Sequence, residues 1–291
     1  MSKSKLGIIG GSGVYNLPEL SGAKWHDIAT PWGAPSDALL EGEIDGLPLV
    51  FLPRHGRGHA VGPSDINYRA NIDALKRVGC THLVSLSACG SLREDLPPGT
   101  FVLVDQFIDR TFKREKSFFG PGCVGHVSMA HPVSPTLVER LEKAAQEAKI
   151  PHSRGGTYLA MEGPQFSTLA ESRLYRQWGC DVIGMTNMPE AKLAREAELP
   201  YATVAMVTDF DSWHPAHGEV DVRQIIAQIT DNVEKARKLI LTLISDFPRE
   251  AEPCAGGSDK ALEFAILTAP ENRDPELMKK LDAVASRVLS R

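Results

Sequence analysis

Two aspartates one residue apart, in the segment Thr208-Asp209-Phe210-Asp211, directly follow the apolar run Tyr201 to Val207. The β-branched residues of that run predict a buried strand, so both carboxylates sit at its C-terminal end, ahead of the loop-like Ser212-Trp213-His214-Pro215. Open α/β sheets bind their ligands at such ends. From an irregular strand end both side chains reach one ligand, one carboxyl delivering a proton to a leaving group and the other accepting hydrogen bonds from an amine. Partial burial raises a carboxyl pKa into the range general acid catalysis needs. The same two residues also read as turn caps, a common use of Asp, and their spacing alone does not separate the two readings.

Further polar loops follow other strand-like runs. Gly10-Gly11-Ser12-Gly13 comes after the first one, where glycines free backbone amides to approach an anion and a hydroxyl adds a donor. A dinucleotide fingerprint needs G-x-G-x-x-G opening a helix; Gly11 and Gly13 fit its first two places, but Asn16 stands in the third and Pro18 cuts the helix, which argues against a dinucleotide-dependent oxidoreductase. Arg54-His55-Gly56 offers a bidentate phosphate donor whose charge never titrates, with His55 as a further donor; alternatively Arg54 pairs with a structural acid and His55 caps a turn. His55 and His59 have HxxxH spacing, yet two glycines lie between them and no glutamate follows His55, so no metal is assigned. Ser87-Ala88-Cys89-Gly90-Ser91, Met161 to Phe166 and Gly184 to Glu190 are each read as loops after strands. Together these segments offer hydroxyls, an arginine, a phenylalanine that can stack, a methionine and two carboxylates, a set that fits phosphate plus a nucleoside.

The elements that must position these residues alternate along the chain. Strands are predicted at Leu6 to Ile9, Leu47 to Leu52, His82 to Leu86, Phe101 to Val104, Thr157 to Met161, Asp181 to Ile183 and Tyr201 to Val207. Helices are predicted at Asn67 to Arg77, Pro135 to Lys149, Ser167 to Trp178, Pro189 to Ala197 and Val222 to Leu243. This is α/β layering around a largely buried mixed or parallel sheet. One domain is expected through about residue 245. A Pro- and Gly-containing loop, Phe247 to Ser258, then leads into a last amphipathic helix from about Asp259 to Leu289, interrupted near Pro270 and Pro275. The tail over 246–291 is expected to pack on its own domain or on a neighbouring subunit.

Bulk properties narrow the class. The 291 residues, 42% of them hydrophobic, suffice for a full core. A formal net charge of −5 lacks the basic excess of a nucleic-acid binder, so an anionic substrate must be held by local groups. No secretory pattern opens the sequence and no apolar run approaches ~20 residues, which predicts a cytoplasmic protein with no membrane partner. The five cysteines are widely spaced and form no CxxC pair, so they are expected as free thiols.

The motifs GIIGGSG, RHG, NYRANIDALK, SACGSL, DQFIDRT, MEGPQFST, GMTNMPEA and TDFDSW, in this order from residue 6 to about 240, resemble the 5′-methylthioadenosine phosphorylases of the trimeric purine nucleoside phosphorylase group. The resemblance implies a single-domain α/β nucleoside phosphorylase fold with a central mixed sheet flanked by helices. It implies phosphorolysis of methylthioadenosine to adenine and 5-methylthioribose 1-phosphate in purine and methionine salvage, with inorganic phosphate as co-substrate, no metal or organic cofactor, and a homotrimer. On that basis Ser12, Arg54, His55, Ser87, the amide of Ala88 and Thr186 would hold phosphate, and Met185 would contact the ribose. Phe166 and Ser167 would line the base site, while Asp209 and Asp211 would bind the purine N7 and 6-amino edge, Asp209 as the proton donor. Val222 would help shape the methylthio pocket, and His126 would reach a neighbour's site. Serine replaces a frequent threonine at Ser12 and Ser87, keeping the hydroxyl and losing a methyl. The alternatives are a purine nucleoside or methylthioinosine phosphorylase acting on 6-oxopurines, and a non-catalytic nucleoside-binding protein.

Overall fold

The computed structural model describes residues 2–11, 13–215 and 222–289. In chain order its strands and helices are β1 (Leu6–Gly10), β2 (Ser21–His26), β3 (Leu39–Ile44), β4 (Leu47–Pro53), α1 (Tyr68–Arg77) and β5 (His82–Ser91). Next come β6 (Phe101–Leu103), β7 (Gln106–Asp109), α2 (Pro135–Glu147), β8 (His152–Arg154), β9 (Thr157–Ala160) and α3 (Leu169–Gln177). The remainder are β10 (Val182–Gly184), α4 (Asn187–Glu196), β11 (Tyr201–Asp209), α5 (Val222–Ser245), α6 (Pro275–Lys280) and α7 (Ser286–Leu289). The strands of the described residues form one mixed sheet in the order β2-β3-β4-β1-β5-β10-β9-β7, with β11 pairing β5 and β6, and β8 pairing β6.

Local sequence sets the helix ends. Asn67 accepts from the Ala70 N–H at the start of α1, Ser134 accepts from Leu137 N–H with Pro135 opening α2, and Thr168 and Glu171 form a reciprocal capping box at α3. Burial then fixes the layers: β1 and β6 are fully buried, as is β11 up to Thr208, and α1 packs beside α4 and α2 beside α5. Sheet strands of this kind, covered on both faces, carry near-continuous apolar runs.

The branch at β5 matters most for the site. Along one edge, β5 pairs with β11 from Leu83 to Gly90. Along the other, it pairs with β1 from His82 to Ser85 and with β10 only at Gly90 and Ser91. Between those two partners, residues 86–89 face a gap in the sheet. A β-bulge in β11 between Val207 and Asp209 leaves Thr208 without a register partner, and such bulges re-aim the side chains beside them.

Three sequence expectations change. Ser87 to Ser91 is not a loop after a strand but the second half of β5. The four strands β2, β3, β7 and β8 were not anticipated. The expected final helix is instead a succession of turns, two 3₁₀ segments (Ser258–Lys260, Pro270–Asn272) and the short helices α6 and α7, because the Pro270 and Pro275 rings and missing N–H groups stop propagation. That tail contributes Leu262, Ala265, Leu281, Val284 and Ala285 to the core of its own chain. Arg287 ties it to Glu198 at 2.7 Å. Among the described residues no helix is long and apolar enough to cross a membrane.

Candidate active site

Arg54 lies just beyond β4, its N–H bonded to Gly10 O at 3.0 Å, so the ends of β1 and β4 place it against the gap in the sheet. It is 2% exposed. Its guanidinium donates from Nε to Glu190 at 2.8 Å, from Nη2 to Glu190 at 3.2 Å and to Ser85 Oγ at 2.5 Å, and from Nη1 to Leu86 O at 3.1 Å. Of the five N–H groups of an arginine, these use four and leave one on Nη1 for a ligand. The structural-acid reading of Arg54 is therefore correct as far as Glu190 goes, and the two readings coexist. Tyr201 and Asn187 brace the pair, Tyr201 donating to Glu190 at 2.9 Å and Asn187 reaching Ser85, Tyr201 and Thr203.

The Leu86 carbonyl that meets Arg54 shows which edge of β5 is open, and strand alternation turns the Ala88 N–H to that same edge. Ser87 Oγ lies 3.2 Å from Thr186 Oγ1, whose residue precedes α4 without its side chain capping the helix. Arg54, Ser87, Ala88 and Thr186 thus converge as hydroxyl, amide and guanidinium donors. His55 differs from expectation. Its Nδ1 is 2.9 Å from Val61 O, and burial with the neighbouring Arg54 charge lowers its pKa to about 4. The neutral ring gives its proton to that carbonyl, so Nε2 is left as an acceptor and becomes a donor only on taking up a proton. His59 stacks on it, ring centroids 4.3 Å apart. Ser12 falls outside the described residues.

The base end is built where β11 leaves the sheet. Asp209 Oδ1 accepts from the Asp211 N–H at 2.8 Å, and Oδ2 lies 2.7 Å from Thr208 Oγ1. Thr208 Oγ1 is also 3.1 Å from Cys89 O, a carbonyl that can only accept. The hydroxyl has one proton, so both contacts are hydrogen bonds when Asp209 itself is protonated. Burial pushes the Asp209 carboxyl up, against the Thr208 hydroxyl and the Asp211 N–H. Asp211 is also raised, first by burial and further by the charge of Asp209, while Ser172, Ser167 and the Ser212 N–H oppose the rise. Among the described residues its Oδ2 and the Ser172 Oγ that acts on this carboxyl are both buried without a completed hydrogen bond. Asp211 has φ +49°, tolerated by Asp better than by most residues. Gly90 makes the approach possible, since a side-chain carbon there would stand 3.0 Å from Asp209 Oδ1 and 3.2 Å from Asp211 Cβ.

Ser212 Oγ donates to Ser167 O at 2.7 Å, joining the start of α3 to the aspartate turn, and Trp213 Nε1 anchors that turn to Ser91 O at 2.8 Å. Phe166 beside it is 44% exposed, an open aromatic face. Met185 packs over Gly163, and Arg114 clamps the two loops by donating to Met185 O, Met188 O and Glu162 O. Glu162 answers Arg114; although burial raises its pKa, Ser64, two backbone N–H groups and Arg114 outweigh that and bring it down to about 2. Val222 opens α5, but its side chain is outside what is described. His126 is exposed, held by its N–H to Ala265 O at 2.9 Å, and lines a 410 Å³ cavity that contains none of the other candidate residues.

The structural roles of Glu190, Ser85, Glu162, Arg114 and Gly90 were missed from sequence. Glu190, Glu162 and Gly90 stand inside the motifs quoted above, but nothing local marks which distant group each one meets. Among the described residues no cluster of three or more His, Cys, Asp and Glu side chains has the arrangement of a metal site.

Hydroxyl, amide and guanidinium donors at the open edge of β5, and two carboxyls at the end of β11 packed against Gly90, stand on a mixed sheet flanked by helices, and comparison shows this to be a nucleoside phosphorylase fold. Residues 5–245 match the Phosphorylase superfamily, to which the chain belongs. It is 66% identical over 289 residues to the S-methyl-5′-thioadenosine phosphorylase of Bradyrhizobium diazoefficiens, covering 99% of each chain. It is 62% identical to that of Rhodospirillum rubrum, over 98% of this chain and 97% of the relative. The crystal structure of a methylthioadenosine phosphorylase from an antarctic soil metagenomic library superposes with TM-score 0.91 at 44% identity, over 98% and 99% of the two chains. An adenosine/methylthioadenosine phosphorylase variant from Schistosoma mansoni in complex with adenine gives TM-score 0.80 at 40% identity, over 84% of this chain and 91% of that one.

Proposed function

We propose that the protein catalyses phosphorolysis of S-methyl-5′-thioadenosine to adenine and 5-methylthio-α-D-ribose 1-phosphate. The observation that carries this reading is the placement of both clusters against β5: the donors at Ser87 and Ala88 stand three residues or fewer from Gly90, against which the aspartates at the end of β11 pack. At ~3.3 Å per residue, three residues separate the ends by about 10 Å, room for a ribose between an anion and a purine edge. The high identity to proteins named for this reaction supports the same substrate.

In this mechanism the C1′–N9 bond breaks early and charge develops on the sugar and the base. Phosphate held by Ser12, Arg54, Ser87, the Ala88 amide and Thr186 stabilises the oxocarbenium-like sugar and captures it. Asp209 turns its proton from Thr208 Oγ1 to N7, and Asp211 accepts from the 6-amino group. Interactions that strengthen only as charge develops raise the rate. His55 joins the cradle by accepting from a protonated phosphate oxygen or by taking up a proton as phosphate binds. Met185 contacts the ribose, Phe166 and Ser167 line the base, and Val222 shapes the methylthio pocket. Inorganic phosphate is the co-substrate, and no metal or organic cofactor is required.

The same reading makes the protein a cytoplasmic homotrimer of methylthioadenosine, purine and methionine salvage. Phe264, 93% exposed, and Leu267 lie beside Val124 and His126, with Leu267 N–H bonded to Val124 O at 2.9 Å. This apolar ridge supports a subunit contact through which His126 reaches a neighbour's site.

The test is phosphate-dependent release of free base from methylthioadenosine, adenosine and methylthioinosine under identical conditions. Strong preference for methylthioadenosine with no release in the absence of phosphate is expected. Equal release without phosphate would make the enzyme a hydrolase, equal rates for 6-amino and 6-oxo substrates would remove the role of Asp211, and no release at all would leave a nucleoside-binding protein.

A further inference from the structure

The phosphate cradle, as read above, depends on a serine where the hydroxyl must point the right way, and Ser87 has no second Cβ substituent to fix its rotamer. Its neighbours do so instead. Ser87 Oγ lies 3.1 Å from Tyr158 Oη and 3.2 Å from Thr186 Oγ1, and its own proton could otherwise turn to the adjacent Ala88 carbonyl at 3.3 Å.

Tyr158 stands on β9, which lies behind the site and shares β10 with β5. It is fully buried. A buried phenol is costly without a hydrogen-bond partner, so packing alone would be served by phenylalanine. Burial pushes its pKa up to about 12, against the Ser87 hydroxyl and the Thr186 N–H beside it, so it keeps its proton; the Thr186 N–H can only donate to the phenol oxygen, and Ser87 Oγ is the acceptor its own proton reaches at 3.1 Å. The chain also makes room for this one oxygen. Gly184, on the neighbouring strand, is in extended backbone that any residue adopts, yet a side-chain carbon there would overlap Tyr158 Oη.

The geometry points to Tyr158 as a positioning residue for the phosphate site: its O–H donates to Ser87 Oγ, occupies a lone pair there, and so leaves the single Ser87 proton to the bound anion. The relay runs in one direction, from the phenol, through serine, to the ligand. Gly184 is the clearance that lets the relay form.

This inference rests on the phosphorylase reading, and the experiment separates the two. Initial rates are measured for the wild type and Tyr158→Phe while phosphate and nucleoside are varied independently. Loss of one neutral hydrogen bond predicts a phosphate KM raised about 5- to 10-fold, with the nucleoside KM within about twofold of wild type. Sulfate, a tetrahedral anion that does not react, is titrated in thermal melts as a direct probe, and its stabilisation of Tyr158→Phe should need correspondingly higher concentrations. Should Tyr158→Phe fail to fold, Tyr158→Met removes the same hydroxyl and is read in the same way. An unchanged phosphate KM, or a parallel deterioration of both KM values and kcat, overturns the positioning role. Phosphate-independent base release by the wild type overturns the parent reading instead.

Discussion

The two ends of the site solve opposite electrostatic problems by the same means. At the anion end the permanent charge of Arg54 is already compensated by Glu190, and His55 is driven to its neutral form. The cradle that remains is made of hydroxyls, an amide and one free guanidinium N–H. At the base end the two carboxyls are pushed toward their neutral acids by burial. Both ends therefore present dipoles and transferable protons rather than bare charges, which is the economical arrangement where water is excluded. The ends differ in completeness. Among the described residues both oxygens of Asp209 are engaged, whereas one oxygen of Asp211 is buried without a completed hydrogen bond.

This contrast can be broken at either end. The largest effect is expected for Asp209→Asn, which keeps the shape but cannot act as the same acid: kcat should fall by ~10²- to 10⁴-fold with the fold intact by circular dichroism, and near-normal turnover would remove Asp209 from the reaction. Glu190→Gln leaves a buried guanidinium without its counter-charge and should cost about 3–5 kcal/mol in denaturant unfolding. A loss below 1 kcal/mol would mean that Arg54 is not held by this pair. Asp211→Asn replaces an acceptor-only group with one that can also donate; the kcat/KM ratio of 6-amino to 6-oxo substrates should drop by about ten- to hundredfold, about 1–3 kcal/mol, and an unchanged ratio would place discrimination elsewhere.

The smallest and most diagnostic effect is in pH dependence of stability. His55 is lowered from its ordinary value of 6.5 to about 4, so between those values the unfolded chain binds the proton and the folded chain does not. Its contribution is thus present above 6.5 and is lost as pH falls toward 4. His55→Gln should flatten that part of the curve. Asp209 works in the opposite sense: its raised pKa makes the folded state the better proton binder, so its burial weighs against folding as pH rises, and Asp209→Asn should relieve this on the alkaline side. Parallel curves for wild type and both variants would show that neither group's pKa differs between the folded and unfolded chain.

Much of this was legible in one dimension. The apolar runs of β1, β4, β5 and β11 gave both their strand character and the position of the polar residues that follow. What escaped had a physical reason. The six residues of β2 are all exposed and carry no buried apolar face, so periodicity is silent there. Three-residue β8 is too short to show a period at all. The second half of β5 reads as a loop in sequence because Ser, Ala, Cys and Gly have little strand preference, and it is strand because β11 pairs along it. His55 shows the limit of residue chemistry: its type promises a donor, and a carbonyl six residues away reverses the role of its free nitrogen.

By itself the sequence determined the main buried strands and the long helices in their order, and that an arginine and two aspartates stand near strand ends, because hydrophobic period and turn chemistry are local properties. The tertiary structure alone decided that the sheet opens along residues 86–89, that Arg54 meets Glu190 across 136 positions, and that Gly90 and Gly184 clear space for Asp209 and Tyr158. Those facts depend on which strand edges pair and on how closely distant atoms approach. Register and packing set both, and neither is written in any single segment.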